Sequence, residues 1–245
     1  MFPIRDHNPS GRTPYVVYAL MAANILAYLL TLNLMSGGRE TFYFLADWAI
    51  VPGQITSGQG YASLVTSQFL HGGFLHLAGN MLFLWIFGDN LEDEMGHVKF
   101  LAFYLICGIG AGVIHVLLAP NSMVPTVGAS GAIAGVLGGY LLLFPKARVD
   151  VLIIFIVFFR VFPIPAWIML GIWFALQLLG GIGADPDMGG VAHWAHVGGF
   201  AAGLALILPL WMKRGGTGYW NRTHGHPPHP EHVYSPSRIP PIPRK

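Results

Sequence analysis

Six side chains that could take part in chemistry lie within or beside long apolar stretches: His71, His76, Asn80, Ser130, His193 and His196. A serine hydroxyl becomes a nucleophile when a nearby imidazole accepts its proton, and N–H groups can stabilise the anion that the attack creates. Polar side chains inside a bilayer serve either such functions or hydrogen bonds between helices. For any one of these residues alone, a hydrogen bond between helices is the simpler explanation. Their relative positions therefore decide whether a functional site is predicted.

The composition of the chain points to a membrane protein. Of its 245 residues, 54% are hydrophobic and only 10% are charged, which is more apolar than a soluble core of this size could bury. Helices satisfy their own backbone polar groups, so they are the expected spanning elements. The predicted fold is an all-α membrane protein, a bundle of six transmembrane helices. The apolar runs place these spans near 15–34, 74–88, 99–119, 130–144, 164–182 and 193–212.

The basic residues orient this bundle. They lie before the first span, between the second and third, and after the fourth and sixth, so the positive-inside rule predicts that both termini are cytoplasmic. The predicted organisation is a cytoplasmic segment 1–14, a six-helix domain 15–212 and a Pro- and His-rich tail 213–245 that is expected to be disordered. The apolar piece 151–159 is too short to span and is placed at the cytoplasmic interface.

Three of the polar side chains are predicted to share one depth. His76, Ser130 and His196 each lie 16 or 17 residues before a charge at the inner boundary of their span. At about 1.5 Å per residue, this is roughly 24–26 Å from that boundary. Asn80 follows His76 by one helical turn and therefore lies on the same face.

The start of the fourth span is the strongest local signal. Ser130 lies in the string Gly128-Ala129-Ser130-Gly131, and only about 22 Å of helix separates it from Phe144. That length is too short to cross a bilayer, so the serine is expected to begin a helix below the membrane surface. Free N–H groups at such a helix start can stabilise an anion.

Glycines at four-residue spacing predict contact between the fourth and sixth spans. Gly131, Gly135 and Gly139 form one stripe, and Gly199 and Gly203 form another. Small residues at this spacing let helix backbones approach closely. Combined with the common depth, the contact brings the serine hydroxyl of the fourth span within hydrogen-bond reach of the imidazole of the sixth.

At these residues the sequence resembles the rhomboid family of intramembrane serine proteases. The resemblance covers about residues 15–212. The resemblance rests on three motifs that occur in the same order and at the same depth. Together they are more specific than a four-residue Gly-x-Ser-Gly string alone. They are the His71, His76 and Asn80 set, the string 128–131, and Ala195-His196 with Gly199 and Gly203.

The resemblance implies a role for each of these residues. Ser130 would be the nucleophile and His196 its general base, in a dyad without an acidic third member. His76, Asn80 and the backbone N–H of Ser130 would form the oxyanion hole. Supporting positions would be His71, Gly128 and Gly131.

The chain also departs from patterns found in some rhomboids. Asp47-Trp48-Ala49 lacks the arginine of a Trp-Arg pair in the first loop. Ala134 occupies the position of a tyrosine that would stack on the histidine, and Trp194 is the candidate to take its place. The fifth span resembles the lateral gate through which substrate helices enter, with the aromatic residues Trp167, Trp173 and Phe174.

Two other functions remain open at this stage. One is a catalytically inactive rhomboid-like protein that binds client proteins, although such relatives often lack the serine or the histidine. The other is a haem- or metal-binding or transport protein built on His71, His76, His115, His193 and His196, which would leave Ser130 without a role.

The protease interpretation requires no cofactor and no metal ion. Its implied partners are single-span membrane protein substrates and the lipid bilayer, and the net charge of +2 suggests no nucleic-acid partner. Cys107 is the single cysteine, which excludes a disulfide within the chain. The predicted location is a prokaryotic plasma (inner) membrane.

Overall fold

The computed structural model describes residues 2–155, 158–185 and 188–233, and this part of the chain is mostly helical. A 3₁₀ turn at Ser67–Phe69 precedes the longest helices. The strands are β1 Phe2–Asp6, β2 Arg148–Phe155 and β3 Phe158–Pro165. The helices are α1 Tyr15–Thr31, α2 Arg39–Trp48, α3 Pro52–Thr56, α4 Ser63–Thr66, α5 Phe74–Met95, α6 His97–Leu118, α7 Ser130–Leu143, α8 Ala166–Gly183, α9 His193–Lys213 and α10 Thr217–Thr223.

Each predicted span coincides with a helix, namely α1, α5, α6, α7, α8 or α9. Most ends agree within three residues, but α5 continues through the acidic stretch after Gly88 and ends at Met95, because Gly96 has a positive φ of 76°. By length and hydropathy, α6, α8 and α9 could each cross a membrane. Residues 63–69 together with α5 form a bent pair, at 95°, that would be a fourth span. The chain is an integral multi-pass membrane protein, and the count of six spans stays a prediction.

Helix α7 forms the centre of the bundle. All residues from Gly131 to Tyr140 are buried in it. A Cβ at Gly199 would collide with the carbonyl oxygen of Gly131, and one at Gly203 would collide with that of Gly135. The two glycine stripes therefore do hold the backbones of α7 and α9 in contact, as the sequence predicts.

A three-stranded antiparallel sheet lies at the end of the bundle where α7 ends and α8 begins. The all-α prediction is therefore wrong in this region. Strand β1 pairs with β2, and β2 pairs with β3. The predicted interfacial piece 151–159 belongs to this β-hairpin, and its residues 156 and 157 lie outside the described residues. Its β-branched and aromatic residues favour strands. Val149 and Val151 of β2 are completely buried in the hydrophobic core that the helices form. This part of the hairpin is therefore packed on the helix bundle.

The tail also differs from the prediction of disorder over residues 213–233. Helix α10 packs on the bundle, where Tyr219 is buried and Trp220 Nε1 donates to Leu142 O at 2.9 Å. Further on, the backbone N–H of His232 donates to the carbonyl of His7 at 2.9 Å. The high proline and histidine content of this segment predicts disorder, but its aromatic side chains provide apolar surface that is buried on the bundle. Residues 234–245 of the predicted tail lie outside the described residues.

Charged side chains fasten the terminal segments at this end. The carboxylate of Glu92, only 1% exposed, accepts the backbone N–H groups of Val16 and Val17 at 2.8 Å each. It thereby satisfies free donors at the start of α1, as a capping residue does. Asp150 of β2 accepts from Arg5 Nε at 2.7 Å and lies 2.9 Å from His7 Nε2.

Candidate active site

The structure brings the predicted serine and histidine together. Ser130 is the first residue of α7, and His196 lies in the first turn of α9. The distance from Ser130 Oγ to His196 Nε2 is 2.7 Å. This is the usual length of a strong hydrogen bond, so the hydroxyl is held where the imidazole can accept its proton.

The loop before Ser130 depends on a glycine. Gly128 has a φ of 132°, and its N–H donates to Ser67 O at 2.9 Å. A Cβ at this position would lie only 2.7 Å from His76 Nε2. Glycine therefore serves both the backbone conformation and the close approach of this loop to α5. Gly131 has a packing role, because a Cβ there would lie 2.6 Å from Ala111 Cβ.

The three predicted polar residues of the second span form one cluster, but they are not equivalent. Asn80, 7% exposed, lies 2.9 Å from His71 Nε2 through its amide nitrogen, which donates. The rings of His71 and His76 are 5.1 Å apart in an edge-to-face arrangement. His71 is completely buried and lies behind Asn80, whereas His76 and Asn80 line a cavity. His71 is therefore a support for Asn80.

A cavity of about 710 Å³ is lined by the predicted polar site residues other than His71. Its volume is typical of sites that bind small molecules or short segments of chain. The serine begins α7 at its wall, and the first N–H groups of a helix have no partner within the helix. The cavity is lined by, among others, His76, Asn80, Gly128, Ser130, Trp173 and His196.

A family model described as the Rhomboid domain matches residues 58–213. The chain belongs to the rhomboid family. RHOMBOID-like protein 4 of Arabidopsis thaliana is 32% identical over 172 residues, which cover 70% of this chain and 39% of that protein. Rhomboid protease GluP of Bacillus subtilis is 33% identical over 204 residues, with 80% and 36% covered. Mitochondrial Rhomboid protein 1 of Saccharomyces cerevisiae is 29% identical over 201 residues, with 78% and 54% covered.

Two further facts follow from these relatives. This rhomboid spans only 25% to 56% of the length of the curated relatives that it matches. Several of them are plant or mitochondrial proteins, so they do not support the prediction of a prokaryotic plasma membrane. What they do support is a multi-pass protein embedded in a membrane.

A residue that sequence reasoning missed contacts the other side of His196. Gln177 of α8 presents Oε1 to His196 Nδ1 at 2.9 Å and to His193 Nδ1 at 2.9 Å. A carbonyl oxygen only accepts, so both Nδ1 atoms donate. The Ser130 hydroxyl then donates to Nε2 of His196. The available signal was a lone amide in a helix whose other side chains are apolar or aromatic.

The aromatic neighbour of His196 is also not the predicted one. The ring of Trp173 lies 5.8 Å from the His196 ring at a tilt of 31°. Trp194 instead donates its indole N–H to Gly181 O at 3.1 Å, so the hypothesis that it replaces the missing tyrosine at Ala134 is wrong. Trp194 and His196 both line the cavity, but the two side chains leave α9 in different directions, and only His196 contacts Ser130.

The first loop is anchored without the Trp-Arg pair. Thr66 Oγ1 donates to the carbonyl of Trp48 at 2.8 Å. Ile50 and Thr126 exchange backbone hydrogen bonds of 3.0 and 2.8 Å, which tie the first loop to the loop before Ser130. Among the described residues no group of three or more His, Cys, Asp or Glu is arranged to hold a metal ion.

Proposed function

We propose that this rhomboid is an intramembrane serine endopeptidase that cleaves single-span membrane proteins by acyl transfer. The observation that carries the proposal is the 2.7 Å contact between Ser130 Oγ and His196 Nε2 inside the cavity. The rhomboid family, to which the chain belongs, includes a protein named a protease, GluP. An inactive client-binding relative would have no need of this contact.

The reaction begins when Ser130 Oγ attacks the carbonyl carbon of the scissile peptide bond. His196 Nε2 accepts the hydroxyl proton as the carbon–oxygen bond forms, and the carbonyl oxygen becomes an oxyanion. As the intermediate collapses, His196 returns the proton to the leaving amine. Water then hydrolyses the acyl enzyme by the same two steps, which regenerates the serine.

The oxyanion is stabilised by donors from α5 and from the start of α7. The N–H of Ser130, the side chain of His76 and the amide of Asn80 are the donors. An amide nitrogen carries two hydrogens, and only one of them is used in the bond to His71. The second is free to reach the cavity that Asn80 lines. Preorganised donors of this kind each contribute roughly 10²–10³ in rate.

The substrate enters as an apolar segment from the bilayer. Trp173 of α8 lines the cavity, and Trp167 of the same helix is exposed on the outside of the bundle. Helix α8 thus separates the cavity from lipid, which agrees with its resemblance to a lateral gate. The associated topology has six spans, a protease domain at 15–212, and both termini in the cytoplasm.

A fluorophosphonate probe tests the proposal, because it bonds covalently to an activated serine. The wild-type protein in detergent becomes labelled, Ser130→Ala does not, and His196→Ala is labelled far more slowly. The matched control is Ser57→Ala, which removes an exposed hydroxyl of the first loop and keeps full labelling. Equal labelling of the wild type and Ser130→Ala would contradict the proposal, and so would the absence of labelling in the wild type.

A further inference from the structure

We infer that Gln177 is a positioning residue, the third member of a hydrogen-bonded chain from Ser130 through His196 to the amide of α8. The inference rests on the proposed function and adds to it the group that orients the general base. Gln177 is 8% exposed and does not line the cavity. It therefore acts through His196 and not through the substrate.

The contact fixes which nitrogen of His196 carries the proton. An imidazole has two tautomers, and only the one with hydrogen on Nδ1 leaves the lone pair of Nε2 directed at Ser130. The Gln177 carbonyl oxygen, 2.9 Å from Nδ1, accepts that hydrogen and selects this tautomer. After Nε2 has taken the serine proton, the same oxygen stabilises the imidazolium.

A neutral amide suits this position better than a carboxylate. Burying an isolated charge within a bundle of membrane helices is unfavourable, whereas an amide carries a strong acceptor without a net charge. Unrelated hydrolase folds use either an aspartate or an asparagine for the same task. The lone glutamine in an otherwise apolar helix thus has a chemical explanation.

His193 holds the glutamine in place. Its Nδ1 donates to the same oxygen at 2.9 Å, and the Gln177 amide nitrogen faces Trp173 O at 3.4 Å. The ring of His193 packs on Gly180, because a Cβ at Gly180 would lie only 2.5 Å from Cε1 of His193. The oxygen is therefore directed at the two imidazoles from a fixed side-chain conformation.

The ionisable groups that face His196 come from several elements. His193 lies on the same helix, His76 on α5 and His115 on α6, and all three line the cavity that His196 lines. Asp185 follows α8 and lines the same cavity. A charge introduced at position 177 would act in addition to these groups and directly against Nδ1.

Two variants test the inference in the full chain. Gln177→Met keeps the length and the unbranched shape but removes the acceptor, so we expect kcat to fall about 10- to 100-fold with KM unchanged. Gln177→Glu restores an acceptor oxygen and adds a negative charge. It should recover most of the activity and move the acid limb of the kcat/KM profile to higher pH, because the carboxylate favours the protonated imidazole.

The matched control is Gln54→Met, the same substitution at a glutamine of α3 that does not line the cavity. It should leave kcat, KM and the pH profile as in the wild type. The inference is overturned if Gln177→Met keeps wild-type kcat, or if the acid limb of Gln177→Glu does not move. A wild-type protein that neither cleaves substrate nor reacts with fluorophosphonate would instead overturn the proposed function itself.

Discussion

The two ends of the helices α5, α7 and α9 carry different kinds of polar side chains with different partners. At the N-terminal ends, the polar side chains of these helices are histidines, an asparagine and a serine, and Ser130 and His196 are hydrogen-bonded in series with Gln177 of the neighbouring α8. At the C-terminal ends, they are charged and paired with the terminal segments of the protein. These groups include Glu92 with the start of α1, and Glu94 in an ion pair with Arg214.

The difference follows from what each end must do. Charges paired near a membrane boundary can hold chain segments together, because each remains close to a partner and to water. A reaction inside the bundle instead needs groups that exchange protons, and groups that are uncharged at rest avoid the cost of an unpaired buried charge. The neutral end therefore depends on close helix packing for its geometry, and the charged end depends on ion pairs and capping.

The largest expected effect comes from disturbing the packing of α7 against α9, which positions Ser130 and His196. Gly203→Ala would drive a Cβ into the carbonyl of Gly135, so α7 and α9 must separate. We expect loss of fluorophosphonate labelling and a destabilisation of at least about 1–3 kcal/mol, measured by thermal unfolding in detergent. Gly171→Ala on α8 is the control, because its Cβ meets nothing within 4 Å. Equal behaviour of the two variants would contradict the packing argument.

A smaller effect is expected at the oxyanion side. Asn80→Ala removes one proposed donor and should lower kcat by roughly 10²–10³ while labelling of Ser130 persists at a reduced rate. Steady-state cleavage of a single-span reporter protein measures this. His71→Ala should have a weaker effect of the same kind, because His71 contacts Asn80 and not the cavity. A larger loss for His71→Ala than for Asn80→Ala would reverse the proposed roles.

At the charged end, stability should change and activity should not. Glu92→Ala removes the carboxylate that accepts from Val16 and Val17, and we expect a loss of about 1–3 kcal/mol of unfolding free energy. The kcat of the reporter reaction should stay within about twofold of the wild type, since α1 does not line the cavity. A large loss of kcat at unchanged stability would break the distinction between the two ends.

The smallest effect concerns the sheet and depends on pH. Burial alone would raise the pKa of the Asp150 carboxyl, but hydrogen bonds from His7 and Arg5 outweigh it and hold the pKa below its ordinary value. Asp150 thus stabilises the fold above the unfolded-state pKa of about 3.9, and this stability is lost as pH falls through the lower folded-state pKa.

Asp150→Asn should therefore lower the thermal midpoint at pH 7, by the equivalent of about 1–2 kcal/mol, and the difference from wild type should vanish at acid pH. Thermal unfolding in detergent from about pH 2 to about pH 8 measures this, because the folded-state pKa lies below the ordinary value. Asp47→Asn, at an exposed aspartate of the first loop, is the matched control and should change nothing. A constant difference at every pH would contradict the assignment to the Asp150 carboxylate.

The sequence predicted the neutral end well because its signals are local and linked to depth. A serine between glycines, a histidine beside a glycine stripe and a common distance from boundary charges were enough to bring Ser130 and His196 together. Gln177 escaped because its role depends on how α8 is rotated about its axis. That rotation is set by packing between helices and is not encoded in the spacing along one of them.

The charged end was predicted less well, since its structure arises from contacts between distant segments. A short apolar piece such as 151–159 has no periodicity that separates a strand from other buried structure. Its pairing with β1 joins residues that lie nearly 150 positions apart. Likewise, Trp220 gains its partner at Leu142 only when α10 folds back on α7.

The most direct test is cleavage of a single-span reporter protein by the purified full chain in liposomes. We predict that the wild type cuts the reporter at one site within or beside its transmembrane segment, and that Ser130→Ala and His196→Ala, both still folded by thermal unfolding, produce no fragment. Fragment formation by Ser130→Ala at the wild-type rate would contradict it.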